Sequence, residues 1–195
     1  MYKIIGGLRT RTFRVLWMLE ELGVAYEHIA SAAHSDEVKA HNAAGKVPVL
    51  LDGDDSVTDS TAIMQYLADK HGAFTYPAGT IERAKQDAFT QFALDEMDAV
   101  LWVATRHALY LPEDKRVDGL RPTCEWEFER SQNELMRRMG EGPFLMGDQM
   151  TVPDIIATHC GNWAIGAKFP VTNPDFKAYL ARMRDRDAFS RARAL

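Results

Sequence analysis

Two hydroxyls, Thr10 and Thr12, stand among three arginines in the stretch Arg9-Thr10-Arg11-Thr12-Phe13-Arg14, just after the first apolar run of the chain. Either hydroxyl could serve as a catalytic donor beside fixed positive charge; the alternative is a charged helix entry without chemistry. A second constellation is Lys46-Val47-Pro48, followed by Asp59-Ser60. A proline heading a Val-rich strand cannot donate to a ladder at its own position, so Pro48 marks an edge, a strand start or a turn with a cis bond. In the cis case the main chain of Val47 turns outward and is left for an extended, peptide-like ligand, in the manner of an added β-strand. Asp59-Ser60 stands where the next helix begins. Unpaired N–H groups there attract a carboxylate, with the Ser60 hydroxyl as a further donor, and Asp59 suits an ammonium. Together they fit the α-amino acid end of a γ-glutamyl group, unless they are two N-cap residues with no ligand.

Other chemistries lack their residues. No GxGxxG follows the first strand, and there is no Walker A segment and no HExxH. His159-Cys160 has no companion ligands at zinc spacing, and Cys124 and Cys160 form no CxxC, so both read as buried thiols. The net charge of -5 argues against a nucleic-acid role, which needs uncompensated Lys and Arg. MYKIIGG is too short an apolar stretch for a signal peptide, and no run of about 18 apolar residues occurs. A cytoplasmic protein, with no membrane and no nucleic acid among its partners, is the expectation.

Elements must bring these residues together. Residues 2 to 5 read as a strand. Val15, Met18, Leu19 and Leu22 form one helical face over 12 to 22, extended around the cylinder by Phe13, Leu16 and Trp17, and Gly23 supplies the stop. Val24 to Ile29 reads as a second strand, completing a βαβ unit. A short polar helix is predicted over 35 to 43, then strands over 47 to 51 and 56 to 58 around the acidic turn 52 to 55, then a helix ending at His71-Gly72. Residues 73 to 80 read as a connection. From Ile81 strand signals cease: amphipathic runs cover 81 to 110 and 113 to 139, and shorter ones 152 to 167 and 174 to 185.

With these residues and this order, the chain resembles the cytosolic glutathione S-transferases. The order βαβ–α–ββα, with Val-Pro before the third strand and an acidic residue plus Ser opening the third helix, is similar to that family's N-terminal domain. Thr151 and Asp154 are similar to the capping box of its second domain, and Met150 and Ile155 occupy hydrophobic-staple positions. The resemblance covers essentially the whole chain.

It implies an α/β plus all-α architecture: a thioredoxin-like glutathione-binding domain over 1–74, a linker over 75–80 and an all-helical domain over 81–195. Glutathione is implied as co-substrate with no metal, and a homodimer is implied as the assembly. By the same resemblance Val47 pairs its main chain with the cysteinyl part, Pro48 is the cis proline and Asp59 and Ser60 hold the γ-glutamyl end. Lys46 reaches the glycine carboxylate, with Asn42 and His34 as further candidates.

A free thiol is only a few per cent ionised at neutral pH, so an enzyme gains rate by favouring the thiolate. In the family the donor is a Tyr, Ser or Cys in the loop after the first strand. Here none occurs between Lys3 and Ser31 apart from Tyr26, which falls in the second strand. Thr10 is the expected donor, with Arg9 in support, unless Thr10 is only an N-cap; Thr12 is assigned to a helix cap or to solvent. Trp102, Arg106, Tyr110 and Trp163 are the expected lining of a hydrophobic co-substrate site between the domains. The spacing of 102, 106 and 110 fits core packing as well. The expected activity is attack of the thiolate on a small hydrophobic electrophile, with peroxidase activity compatible. The competing expectation is a non-catalytic glutathione- or ligand-binding protein of the same fold.

Overall fold

The computed structural model describes residues 1–195, which form two compact units: Met1–Thr75 with Met183–Leu195, and Tyr76–Arg182.

In the first unit a four-stranded sheet has the order β2-β1-β3-β4, built from β1 (Tyr2–Ile5), β2 (Tyr26–Ile29), β3 (Val49–Asp52) and β4 (Asp55–Thr58). β1 runs parallel to β2 and antiparallel to β3, and β3 pairs antiparallel with β4. Three strand starts differ from expectation, β4 by a single residue, since Asp55 already pairs with Asp52. β2 begins at Tyr26 because the Val24 N–H is still bonded to Leu19 O of the preceding helix, and β3 begins at Val49 because Pro48 has no N–H for the ladder. The hairpin turn closes on Gly53 at φ 63, a backbone conformation that suits glycine.

Helix α1 (Thr12–Leu22) buries Val15, Leu16, Trp17, Met18 and Leu19, and ends on Gly23 in the left-handed region, whose N–H returns to Leu19 O. Each such side chain contributes roughly 1.5–3 kcal/mol of apolar burial. Ser35 caps α2 (Asp36–His41) by accepting the Val38 N–H, and α3 (Ser60–His71) ends on Gly72 as α1 does on Gly23. The residues 183–195 were expected within the helical domain; they cluster instead with the first unit. Helix α9 (Asp187–Arg193) packs on α1, with the Phe189 ring edge-on to Trp17 at 5.0 Å and to Phe13 at 5.3 Å. A helix apolar on more than one face needs more than a sheet to cover it, and α9 supplies part of that cover.

The second unit holds only helices and short bridges. α4 (Ile81–Phe92) and α5 (Ala99–Thr105) form one run, as the periodicity predicts, but widened π-type turns interrupt it at Ala93–Asp98 and again at Arg106–Tyr110. The next run starts later than residue 113: Glu113–Lys115 makes a single tight turn, and Gly119 at φ 78 opens α6 (Leu120–Met139). α7 (Val152–Gly166) and α8 (Pro174–Arg184) follow.

The expected capping box is formed at α7. Asp154 Oδ2 accepts the Thr151 N–H at 2.8 Å, and both residues are fully buried. Oδ1 accepts the Leu145 N–H and the Tyr179 O–H, each at 2.9 Å, so one carboxylate ties the preceding loop and α8 to the helix start. Met150 and Ile155 are both buried, as a staple requires. Cys124 and Cys160 are buried free thiols.

Candidate functional site

Sheet register brings three segments to one end of the first unit. Ile5 pairs with Val49, and Val49 pairs with Thr58 on its other side. The exit of β1, the entry of β3 and the exit of β4 therefore lie side by side. The loop Gly6–Arg11, the Val47-Pro48 dipeptide and the Asp59-Ser60 opening of α3 all leave the sheet at this edge.

In the first segment the Thr10 hydroxyl donates to Gly7 O at 2.7 Å, and its oxygen accepts the Thr12 N–H at 3.1 Å. The oxygens of Thr10 and Thr12 are 2.9 Å apart. The N-cap of α1 is Arg11, whose side chain makes no capping bond, so neither threonine is the N-cap. Thr12 is fully buried rather than solvent-facing, because it packs under Gly6: a Cβ on that glycine would lie 2.2 Å from the Thr12 hydroxyl and 2.9 Å from Val47 Cβ. Gly6 thus marks where the first two segments touch. Arg9 is exposed.

The Val47–Pro48 bond is cis. Val47 is half-buried and lies beyond the last β1–β3 pair, so its main chain is outside the sheet ladder. Lys46 is exposed, while its carbonyl accepts the Asn42 side-chain amide at 2.8 Å and the Asn42 carboxamide oxygen accepts the Ala44 N–H at 3.1 Å. Asn42 thus serves the loop itself. His34 sits at φ 66, with its N–H bonded to Gly45 O at 2.7 Å and its ring against the Gly45 backbone.

Asp59, at φ 72, caps α3: its Oδ1 accepts the N–H groups of Thr61 and Ala62 at 2.9 and 3.1 Å. The carboxylate is exposed and its second oxygen takes no part in the cap. Ser60 is nearly buried, and its oxygen accepts from Nη1 of Arg14 at 3.5 Å, a long contact. Arg14 is fully buried in α1. An arginine has only donors, so this contact leaves the Ser60 proton for an acceptor on the other side. Arg14 is a site-neighbouring residue that the sequence reading overlooked. The signal was an arginine within a helix apolar on nearly every face, which must meet a polar group inside.

In the second unit, Trp102, Arg106, Tyr110 and Trp163 come together. The Trp102 ring lies 5.6 Å from Tyr110 and 6.4 Å from Trp163, and the Arg106 guanidinium sits 5.8 Å over Trp102. None of the four is buried, and Tyr110 is 69% exposed, so the cluster is not ordinary core. Both Arg106 and Tyr110 belong to the second widened turn, which replaces the regular helical face assumed from the spacing.

A cavity of about 440 Å³ opens elsewhere, at Glu20, Glu21, Arg186 and Arg191; those charges pair with one another and no expected site residue lines it. No group of three or more His, Cys, Asp or Glu side chains is arranged to hold a metal ion, and no helix is long and apolar enough to cross a membrane.

Residues 12–75 match the profile of the glutathione S-transferase N-terminal domain. Among curated relatives, the chain is 25% identical over 138 residues to a putative glutathione S-transferase alpha-2 of Dictyostelium discoideum, covering 71% of this chain and 61% of that one. It is 30% identical over 132 residues to human glutathione S-transferase theta-2B, covering 63% and 52%. The chain thus spans between half and two thirds of the length of these two relatives. Among solved structures, a glutathione transferase of Phanerochaete chrysosporium in complex with oxidized glutathione superposes with a TM-score of 0.84 at 23% identity, over 99% of this chain and 96% of that one. A theta class enzyme of Xanthomonas axonopodis pv. citri with glutathione bound gives 0.80 at 24% identity, over 100% and 97%. These likenesses show the fold: a thioredoxin-like N-terminal domain followed by an all-helical one.

Proposed function

We propose that this chain, whose residues 12–75 match the glutathione S-transferase N-terminal domain, is a glutathione transferase that favours the glutathione thiolate for attack on a small hydrophobic electrophile. The observation that carries the reading is the meeting at one sheet edge of the Thr10 loop, the cis Val47–Pro48 bond and the capped start of α3. Each segment offers what one part of the tripeptide needs.

In this reading the extended main chain of Val47 pairs with the cysteinyl residue, and Pro48 fixes that peptide at the edge. The free oxygen of Asp59 takes the γ-glutamyl ammonium, while Ser60 and the first N–H groups of α3 take its carboxylate. The exposed ammonium of Lys46 meets the glycine carboxylate. Thr10 turns its proton to the sulfur, beside the positive N-terminal end of α1 and the charge of Arg9. The thiolate then displaces a leaving group or adds to an electrophilic carbon, or attacks a peroxide. Trp102, Arg106, Tyr110 and Trp163 line the electrophile's site with aromatic faces and one cation. The protein acts as a homodimer in the cytoplasm, in detoxification.

Glutathione titration with the ultraviolet thiolate band as readout tests this reading, on the native protein and on Thr10→Ala. The expected result is binding with a band that Thr10→Ala loses. Binding without a band overturns the transferase assignment, and absence of binding overturns the ligand.

A further inference from the structure

We infer that Thr12 is a positioning residue for the thiol: its buried hydroxyl donates to Thr10 Oγ1 and so turns the single Thr10 proton toward the sulfur. This rests on the transferase reading above and names a group that acts at the same site through Thr10.

The argument is a proton count. A hydroxyl has one proton and two lone pairs. Thr10 spends its proton on Gly7 O at 2.7 Å, and its oxygen accepts the Thr12 N–H at 3.1 Å. The contact between the two threonine oxygens, 2.9 Å, needs one further proton. With the Thr10 proton on Gly7, only Thr12 can supply it. Thr12 is fully buried, and Thr10 Oγ1 is the polar neighbour within reach of its hydroxyl, so a Thr12 proton aimed anywhere else is a buried donor left unmet. Two donors from one residue, N–H and O–H, therefore converge on Thr10 Oγ1.

That arrangement decides what Thr10 does when an anion arrives. Both of its lone pairs are filled by Thr12, so the Thr10 hydroxyl meets a thiolate as a donor only. Chained donors also polarise one another, which strengthens the outgoing bond. Releasing Gly7 O is cheap, because that carbonyl keeps the Thr10 N–H at 3.1 Å. Gly6 leaves the pair its space: it sits at φ 144, and a Cβ there would lie 2.2 Å from the Thr12 hydroxyl.

Thr12→Val keeps the shape and removes the hydroxyl; Thr12→Ser keeps the hydroxyl. The test reads the pH dependence of the thiolate band of bound glutathione together with glutathione affinity. The expected result is a thiol titration raised by about half to one pH unit in Thr12→Val, affinity within about twofold, and return of the native titration in Thr12→Ser. In a Thr10→Val background, Thr12→Val adds no further shift. An unshifted titration in folded Thr12→Val overturns the inference, as does an equal shift in Thr12→Ser, which would mark packing alone. Should Thr12→Val not fold, Thr12→Cys, with a much weaker donor, must show the same upward shift or the inference fails. The failure of the broader reading is distinct: there the native protein itself shows no bound thiolate.

Discussion

The guanidinium of Arg186 lies across both oxygens of the Glu21 carboxylate, Nε to Oε1 at 2.6 Å and Nη2 to Oε2 at 2.8 Å. Trp17 Nε1 donates to the same Oε1 at 2.9 Å. This fork ties the C-terminal segment to α1, and Arg191 repeats the tie one residue earlier in α1 through Glu20 at 2.7 Å.

Arg186→Ala is expected to destabilise the protein by about 2 kcal/mol. The Glu21 side chain is only 6% exposed and would lose its two-bond partner, whereas Arg186 is 32% exposed, which trims the loss below that of a fully buried pair. Thermal denaturation should show it, and Arg186→Lys should recover only part, since an ammonium cannot lay two parallel bonds on a carboxylate.

Burial pushes the Asp154 carboxyl up to about 6, against the opposing pull of the Leu145, Thr151 and Tyr179 donors. The folded protein therefore holds this proton more tightly than the unfolded chain, whose carboxyl titrates near 3.8. The resulting stability is present in full below that unfolded value and is lost as pH rises toward 6, of order 3 kcal/mol across the window. Denaturant melts of the native protein and Asp154→Asn between pH 4 and 7 should differ in slope, the variant lacking this fall. Equal slopes would mean that Asp154 stays ionised throughout.

Gly6→Ala should be among the most damaging single substitutions in the first unit, costing about 2–4 kcal/mol. The methyl would meet the Thr12 hydroxyl at 2.2 Å on a backbone at φ 144. Urea unfolding measures it; a neutral result would mean that the loop after β1 can move away from Val47 at little cost.

Ser60→Ala should weaken glutathione binding about five- to tenfold through one lost charge-assisted bond. The electrophile's KM should stay near native. Calorimetric titration of the tripeptide reads the first and steady-state kinetics the second; a change in the electrophile's KM alone would place Ser60 outside the glutamyl end.

Trp102→Ala should do the reverse, raising KM for an apolar electrophile about tenfold or more while leaving glutathione affinity within about twofold. Its ring is the common neighbour of Tyr110, Trp163 and the Arg106 guanidinium, so one truncation opens the whole cluster.

Much of the first unit was legible because local rules determine it. Alternating strands, the glycines after α1 and α3, and the Asp59 cap each depend on a few consecutive residues, and the βαβ–α–ββα order follows from them. The capping box at Thr151 and Asp154 was legible for the same reason. Less so were the break at Gly119 and the widened turn at Arg106–Tyr110, where apolar spacing continues although the helical hydrogen bonds change.

The sequence by itself determined which groups exist: two hydroxyls without the usual Tyr, Ser or Cys beside them, a Val-Pro and an Asp-Ser. Tertiary structure decided where they face. Thr12 is buried under Gly6, which has room for it only because it lacks a Cβ; that Cβ would also lie 2.9 Å from Val47 Cβ, in a segment far along the chain. Arg14 meets Ser60 across α1 and α3, and Phe189 covers Trp17 from the far end of the chain. Periodicity tells which face of a helix is apolar, but not which distant element covers it. That choice is made by packing, where segments distant in sequence compete for the same buried surface.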